Sequence, residues 1–551
     1  MTVPALSPSH HRSRQRRVLV ENLTAYAFLL PAGLLIFVFG LFPVGFAFFV
    51  SLHRWRRFPG EYVGLSNFVR GLDEFAYVLF FWLALGALGY GLMLLWRVWK
   101  EPAQRLRTLS TLIPGALNSY SILTLISWIG VLIPLIINIP QRVRGQERVP
   151  GLFVNELAAS FQFPEAFTVG NQFLLAGLAA LGLSLAWMFI VKVSFAQVVR
   201  GTSITLLAGI SFLIFQLTTS EVQTAITAAQ ESGETLPIWS QVIFITLGVL
   251  LLVAAFWLWQ RAFKAEGNRR FVGIVLAAIS LMIGGYALAA ELPRVLANAD
   301  SNVLSGFNIT VMFALGTVPF QLAIGLGLAY LLFQNIKGKS FFRIVYFMPY
   351  IMPFVATSIV FNIIFSQRPS SLINNLIGAF GVAPQKWLLE PTGIFRMFFG
   401  EGVPDVLVGP ALALVVIMLY TTWTYIGYDA VVFLAGLGNI SPELYEAARI
   451  DGASSWSVFR HITLPLLSPT TFFLSLIAVI GTFQSFTQIW IMRTPASQRS
   501  VDTLSIYIFE TVRSNDPNMG YGSAMAFVLF GVILLLTIFQ NRIMGSRVFY
   551  G

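Results

Sequence analysis

The chain has 551 residues, 56% of them hydrophobic and only 11% charged, and its mean hydropathy is +0.76. Soluble domains carry about 25% charged residues, so a water-soluble enzyme and a disordered chain are excluded and a polytopic membrane protein remains. The net charge of +11 fits basic loops on the cytoplasmic side of a membrane and gives no reason to expect nucleic acid, and the absence of cysteine removes disulfides and thiolate metal sites.

Apolar stretches follow one another near 25–52, 78–96, 115–139, 172–191, 203–217, 239–260, 271–290, 306–333, 344–366, 405–437, 468–492 and 523–541. About 20 apolar residues cross the hydrocarbon as a helix, and there every backbone polar group must bond within its own segment. The sequence therefore predicts an all-α polytopic fold of about twelve transmembrane helices. The first stretch follows a basic tail, 1–24, with Arg12, Arg14, Arg16 and Arg17, and is too long and Phe-rich for a cleaved signal. With that tail inside, the alternating cytoplasmic segments hold 21 of the 35 Lys and Arg. Their basic density is about twice that outside, and both termini are expected in the cytoplasm. Arg54, Arg56 and Arg57 run against the trend.

Gly338-Lys339-Ser340 ends like a phosphate-cradling loop, but Phe333 stands where that loop needs its first glycine. No His cluster or HExxH pattern offers a metal site. Any ATP used in transport is hydrolysed by another subunit.

The segment 438–465 is built differently from its neighbours. Ser441 can cap a helix, Pro442 suits its first position, and Glu443 and Glu446 favour the positive N-terminal end. Ala447 and Ala448 give a small face, Gly452 ends or bends the helix, and Trp456, Phe459 and Ile462 form a second amphipathic piece before Leu464-Pro465. These residues fit either a helix docked in a partner's groove or an ordinary interfacial loop helix.

The spacing of Glu446-Ala447-Ala448, Gly452, Ile462 and Leu464-Pro465 resembles the signature loop of binding-protein-dependent ABC importer permeases. Further segments resemble carbohydrate permeases: Phe28-Leu29-Leu30-Pro31, Leu41-Phe42-Pro43, Tyr62 to Phe68, Gly306 to Thr310, Arg343 to Tyr350, and Trp423. The likeness is to the larger membrane subunit of maltose/maltodextrin importers. It implies a type I importer core of six spans, made from 25–77 and 301–551 and interrupted by an insertion, 78–300, with about six further spans. It implies that Glu446, Ala447, Ala448 and Gly452 contact the ATPase subunit. It also implies a second permease, an ATPase dimer that holds ATP and Mg2+ while this chain holds no cofactor, an extracytoplasmic sugar-binding protein, and a bacterial inner membrane. In the maltose-type subunit the insertion is an extracytoplasmic domain that touches the binding protein. Here it is apolar. The loops 140–171 and 218–238 are candidates for that contact, and lipid-facing helices that stiffen the assembly are the other reading.

Sugars offer apolar C–H faces and a rim of hydroxyls, so their sites pair aromatic rings with hydrogen-bonding groups. Positions that resemble the sugar-contacting ones of the maltose-type subunit are Tyr350, Tyr425, Tyr428, Thr482 and Ser485; Tyr350 and Tyr428 keep the residue type. Trp423 and Gln484 join them on chemistry alone. Hydroxyls that bond back to their own helix and aromatics that only pack are the alternative. Asp429, a carboxylate within a span, is a functional candidate or a group that reaches the interface. The expected function is the permease subunit of an ATP-driven sugar importer, for maltose or maltodextrin. A stand-alone twelve-span secondary carrier needs coupling carboxylates and internal repeats, yet only Asp429 lies mid-span and the halves show no similarity. A membrane enzyme lacks clustered catalytic groups.

Overall fold

The computed structural model describes residues 21, 24–100, 108–145, 151–233, 235–264, 266–334, 336–404 and 407–545. Most of the basic tail and the last six residues lie outside these, and so does the expectation about both termini. Among the described residues ten helices are long and apolar enough to cross a membrane, or twelve if two bent pairs each count as one span. The ten are α1 (Thr24–Ser51), α2 (Phe75–Lys100), α3 (Ser110–Arg142), α4 (Pro164–Val191), α5 (Phe195–Glu231), α6 (Ile238–Ala262), α7 (Asn268–Val295), α8 (Ser301–Phe333), α11 (Leu412–Gly438) and α16 (Met519–Ile543); the bent pairs are α9 (Lys339–Ile351) with α10 (Phe354–Ile364), and Ser455–Leu466 with α13 (Ser468–Phe483). After α11 come the short α12 (Pro442–Ile450), then α13 (Ser468–Phe483), α14 (Thr487–Met492), α15 (Leu504–Arg513) and α16 (Met519–Ile543). The only β pairing among the described residues is two isolated bridges, His53 with Tyr62 and Gly393 with Ala411.

The expected short span at 203–217 is the middle of the 37-residue α5. No glycine or proline interrupts the chain between Gly209 and Gly233, and Ala225, Ala228 and Ala229 favour helix, so the polar run from Thr218 does not end it. The loop expected at 218–238 is therefore helical as far as Glu231, and the one at 140–171 contains Leu152–Ser160 and the start of α4. The stretch at 344–366 turns by 96° between α9 and α10. Pro353 is the cause: the residue before a proline is pushed out of the helical region, and Met352 is extended at ψ 146°. The stretch at 405–437 becomes helical only at Leu412, and the one at 468–492 is interrupted between α13 and α14 at Gln484 to Phe486.

Two compact units share the chain. One takes the described residues of 1–67, 84–217 and 519–524. Its helices are tied by polar bonds inside apolar walls: Trp187 Nε1 donates to the Ser110 carbonyl at 3.0 Å, and Ser119 and Thr205 hydroxyls lie 2.7 Å apart. Phe189 and Ile190 stay about four-fifths exposed, as lipid-facing residues do. The other unit takes 68–83, 218–518 and the described residues of 525–551. Its centre is α11, the most buried of the long spans, followed by α8.

The packing of α9 on α11 depends on Gly427, where an added Cβ would overlap the carbonyl of Tyr346. One end of this unit carries α12, since Phe333 lies 6.4 Å from Tyr445 and Tyr330 lies 5.0 Å from Phe459. The turn between α8 and α9 therefore shares an end with the 438–465 segment, as the alternating topology requires. The opposite end carries Asp300, which caps α8 through Asn302 N and accepts from the Tyr507 hydroxyl.

Gly427→Val forces α9 off α11. Overpacking of this kind costs about 1–3 kcal/mol, so the melting temperature of the detergent-purified chain falls by several degrees, whereas Gly438→Val, with open space around it, leaves it within error.

Candidate functional site

The bend at Pro353 and the break at Gln484 to Phe486 leave helix ends inside two adjacent spans. Interrupted helices in membrane interiors are found where backbone lines a cavity or a ligand. Around the first break, three of the sequence candidates come together. The Tyr350 ring stacks on Tyr428 at 4.8 Å and meets Tyr425 edge-on at 5.8 Å. Among the described residues none of the three hydroxyls has a hydrogen-bond partner. Tyr420 is different: its hydroxyl is taken by Thr357 at 2.7 Å and by the Phe354 carbonyl, so it is a buried structural tyrosine.

Trp423 lies on a second ring cluster, 5.2 Å from Phe361, and is 39% exposed. Sequence reasoning missed Phe354, which stacks on Tyr425 at 6.2 Å, and Phe361. Both follow Pro353 seven residues apart on α10, a spacing that puts them on one face; that signal was available.

The second break places the remaining candidates. Thr482 is buried and bonds back to the carbonyls of Ala478 and Val479 at 3.0 and 2.9 Å, the self-satisfied arrangement. Ser485 Oγ accepts from Gln488 Nε2 at 2.7 Å. Gln484 is exposed at the α13 terminus. Asn362 Nδ2 on α10 donates to the Ile491 carbonyl at 3.2 Å, which joins the two broken spans. No hydrogen bond among the described residues joins the tyrosines to Thr482, Gln484 or Ser485. Asp429 is buried where α11 meets Gly325 of α8, near enough to Tyr425 and Tyr428 to act on them electrostatically, and its Oδ2 has no hydrogen-bond partner.

The helix α12 has the predicted outline with one change. Ser441 makes no side-chain cap, and the cap in this segment is Ser454, which accepts from Ser457 N. Glu443 in the first turn and Arg449 in the last match the helix dipole. Gly452 has φ +72°, and Ala453 N bonds the Ala448 carbonyl at 2.9 Å, the bond that closes a Schellman motif. Glu446, Ala447 and Gly452 are exposed, with Ile450 86% exposed beside them. Ala448 is buried against the chain's own core. Tyr445 bonds Thr463 at 3.3 Å. It also packs on a cluster of Ala329, Phe433, Leu437, Ile440, Leu467 and Leu474, and Tyr428 packs on that same cluster.

Residues 321–549 match the family of binding-protein-dependent transport system inner membrane components. The arabinooligosaccharides transport system permease protein AraP of Bacillus subtilis (strain 168) is 32% identical over 242 residues, which cover 44% of this chain and 69% of that protein. The chain belongs to this permease family. The lactose transport system permease protein LacF of Rhizobium radiobacter is 31% identical over 42% of the chain and 72% of its own length. The sn-glycerol-3-phosphate transport system permease protein UgpA of Rhizobium meliloti (strain 1021) is 29% identical over 46% of the chain and 79% of its own length. The family match in this permease takes in α12 and every candidate above, and it begins beyond residue 300.

At the end of the permease opposite α12, Arg493 is 8% exposed and meets Asp502 through both carboxylate oxygens at 3.1 Å and Glu510 at 2.7 Å, with its guanidinium 3.8 Å over Trp490. One cation thus serves two acids. Burial pushes the Asp502 carboxyl up to about 6, helped by Glu510 and opposed by Arg493. A carboxyl raised on folding stabilises most below its ordinary value near 4 and loses that contribution as pH rises through about 6. Asp502→Asn removes this term. The melting temperature of the variant relative to wild type therefore climbs as pH goes from about 4 to about 7, and a constant difference would show that Asp502 does not titrate there.

Proposed function

We propose that this chain is the permease subunit of an ATP-driven sugar importer in a bacterial inner membrane, with an oligosaccharide as its cargo and maltose or maltodextrin as the specific reading of the sequence. The names of AraP and LacF support the oligosaccharide class. In this reading a loaded sugar-binding protein docks outside, and a second permease completes the pathway. An ATPase dimer, which holds ATP and Mg2+, grips α12 through Glu446, Ala447 and Gly452. Ala448 supports the helix from beneath.

The observation that carries the proposal is the shared core cluster. Tyr445 of α12 and Tyr428 of the ring site pack on the same buried residues. A push on α12 therefore reaches α11 through close-packed side chains, which transmit displacement because interiors have little free volume. At 4.8 Å the Tyr350 and Tyr428 rings cover each other. A sugar reaches their faces only when α9 parts from α11, and the unbonded hydroxyls then meet its rim.

The test uses the chain assembled with its ATPase, second permease and binding protein in vesicles. Glu446→Lys with Gly452→Val removes the exposed carboxylate and the left-handed residue. ATP hydrolysis stimulated by the binding protein falls at least about tenfold, a coupling loss of about 1.4 kcal/mol. Tyr350→Ala with Tyr428→Ala lowers sugar uptake and leaves basal hydrolysis intact. Wild-type coupling in the first double variant, or uptake by the purified chain alone on an ion gradient, overturns the proposal.

A further inference from the structure

The hairpin between α6 and α7 lies outside the family match and has no part in the transport reading. Its tip, 261–270, holds Arg261, Lys264, Arg269 and Arg270 against one acid, Glu266, and all five are exposed. Among the described residues none of the four cations stands in an ion pair. Two of them rest on aromatic faces instead. The Arg261 guanidinium lies 3.8 Å over the Trp257 ring, and that of Arg270 lies 5.5 Å from the Phe263 ring. The Trp259 ring lies tilted beside Phe263 at 5.1 Å, and Trp257 and Trp259 are each half exposed. A guanidinium stacked on a ring keeps its N–H edge free to donate.

Two features show what surrounds this tip. Only 22% of the apolar window of α6 and 11% of that of α7 is buried, so the hairpin walls face lipid. The level of the tip follows from the chain. α7 ends at Val295, close to Asp300, the cap of α8. The tip is therefore at the other end of α7, the end of this unit that carries α12. Tryptophans at the end of a lipid-facing helix sit at the headgroup level, where unpaired cations meet lipid phosphates.

We propose that the tip binds the phosphodiester groups of anionic phospholipids, with Arg261 on its Trp257 side and Arg270 on its Phe263 side each a donor to a lipid phosphate, Lys264 and Arg269 as surrounding charge, and Trp257 and Trp259, on their separate faces of α6, as apolar contacts for the glycerol and upper acyl chains. Planar guanidinium forks match phosphate oxygens. An acidic protein partner fits less well, because such a partner would have to displace lipid from both faces of the hairpin.

The full chain, purified in neutral detergent, is given phosphatidylglycerol or phosphatidylcholine and examined by native mass spectrometry. Wild type retains phosphatidylglycerol several-fold over phosphatidylcholine. Arg261→Gln with Arg270→Gln lowers phosphatidylglycerol retention about fivefold and leaves phosphatidylcholine unchanged, since the charged headgroup supplies the difference. On wild type alone, raising ammonium acetate from about 0.1 to about 0.5 M strips the anionic lipid, as screening requires. Equal retention of the two lipids, undiminished retention by the variant, or retention insensitive to salt overturns the proposal. Displacement of phosphatidylglycerol by inorganic phosphate alone would assign the tip to free phosphate and overturn the lipid reading too.

Discussion

The contact between α9 and α11 at Gly427 sets the rest of the candidate site. With no side chain there, the α9 backbone at Tyr346 and Phe347 lies directly on α11, and this approach brings Tyr350 onto Tyr428 and Tyr425. The bend at Pro353 follows at once. It starts α10 with Phe354 against Tyr425 and Phe361 against Trp423. Two aromatic clusters therefore line a single stretch of α11, placed by one missing Cβ and one proline.

The same helix carries the mechanical argument. α11 runs from the ring clusters to the core beneath α12, and Phe433 and Leu437 on it pack with Ala329 of α8 and with Leu467 and Leu474 at the start of α13. The Schellman closure at Gly452 fixes where α12 stops, so its exposed face is presented in one orientation and Ala448 is held underneath. A packed cluster between two elements is a physical route for coupling.

Much of this was legible in the sequence. Composition and run length led to a helical membrane fold of about twelve spans, because hydrocarbon leaves few alternatives, and the structure has ten such helices among the described residues, or twelve with two bent pairs each counted as one span. The outline of α12 was readable from Pro442, Glu443 and Gly452, whose roles are local. The tyrosines could be named but not joined, since their meeting depends on an inter-helix approach that no single segment encodes. The continuity of α5 was misread because the polar residues after Leu217 look like a loop, although helix needs only the absence of breakers. Thr482 shows what residue type leaves open: its place suggested a ligand group, and its hydroxyl donates back to its own helix.

The stacked tyrosines have a consequence for an idle transporter. In the proposed pathway, the rings that would receive the cargo cover one another while none is present. Prising them apart without a guest exposes their faces for nothing in return. The stack of Tyr350 on Tyr428 is thus an arrangement that any cargo held between these rings would have to open.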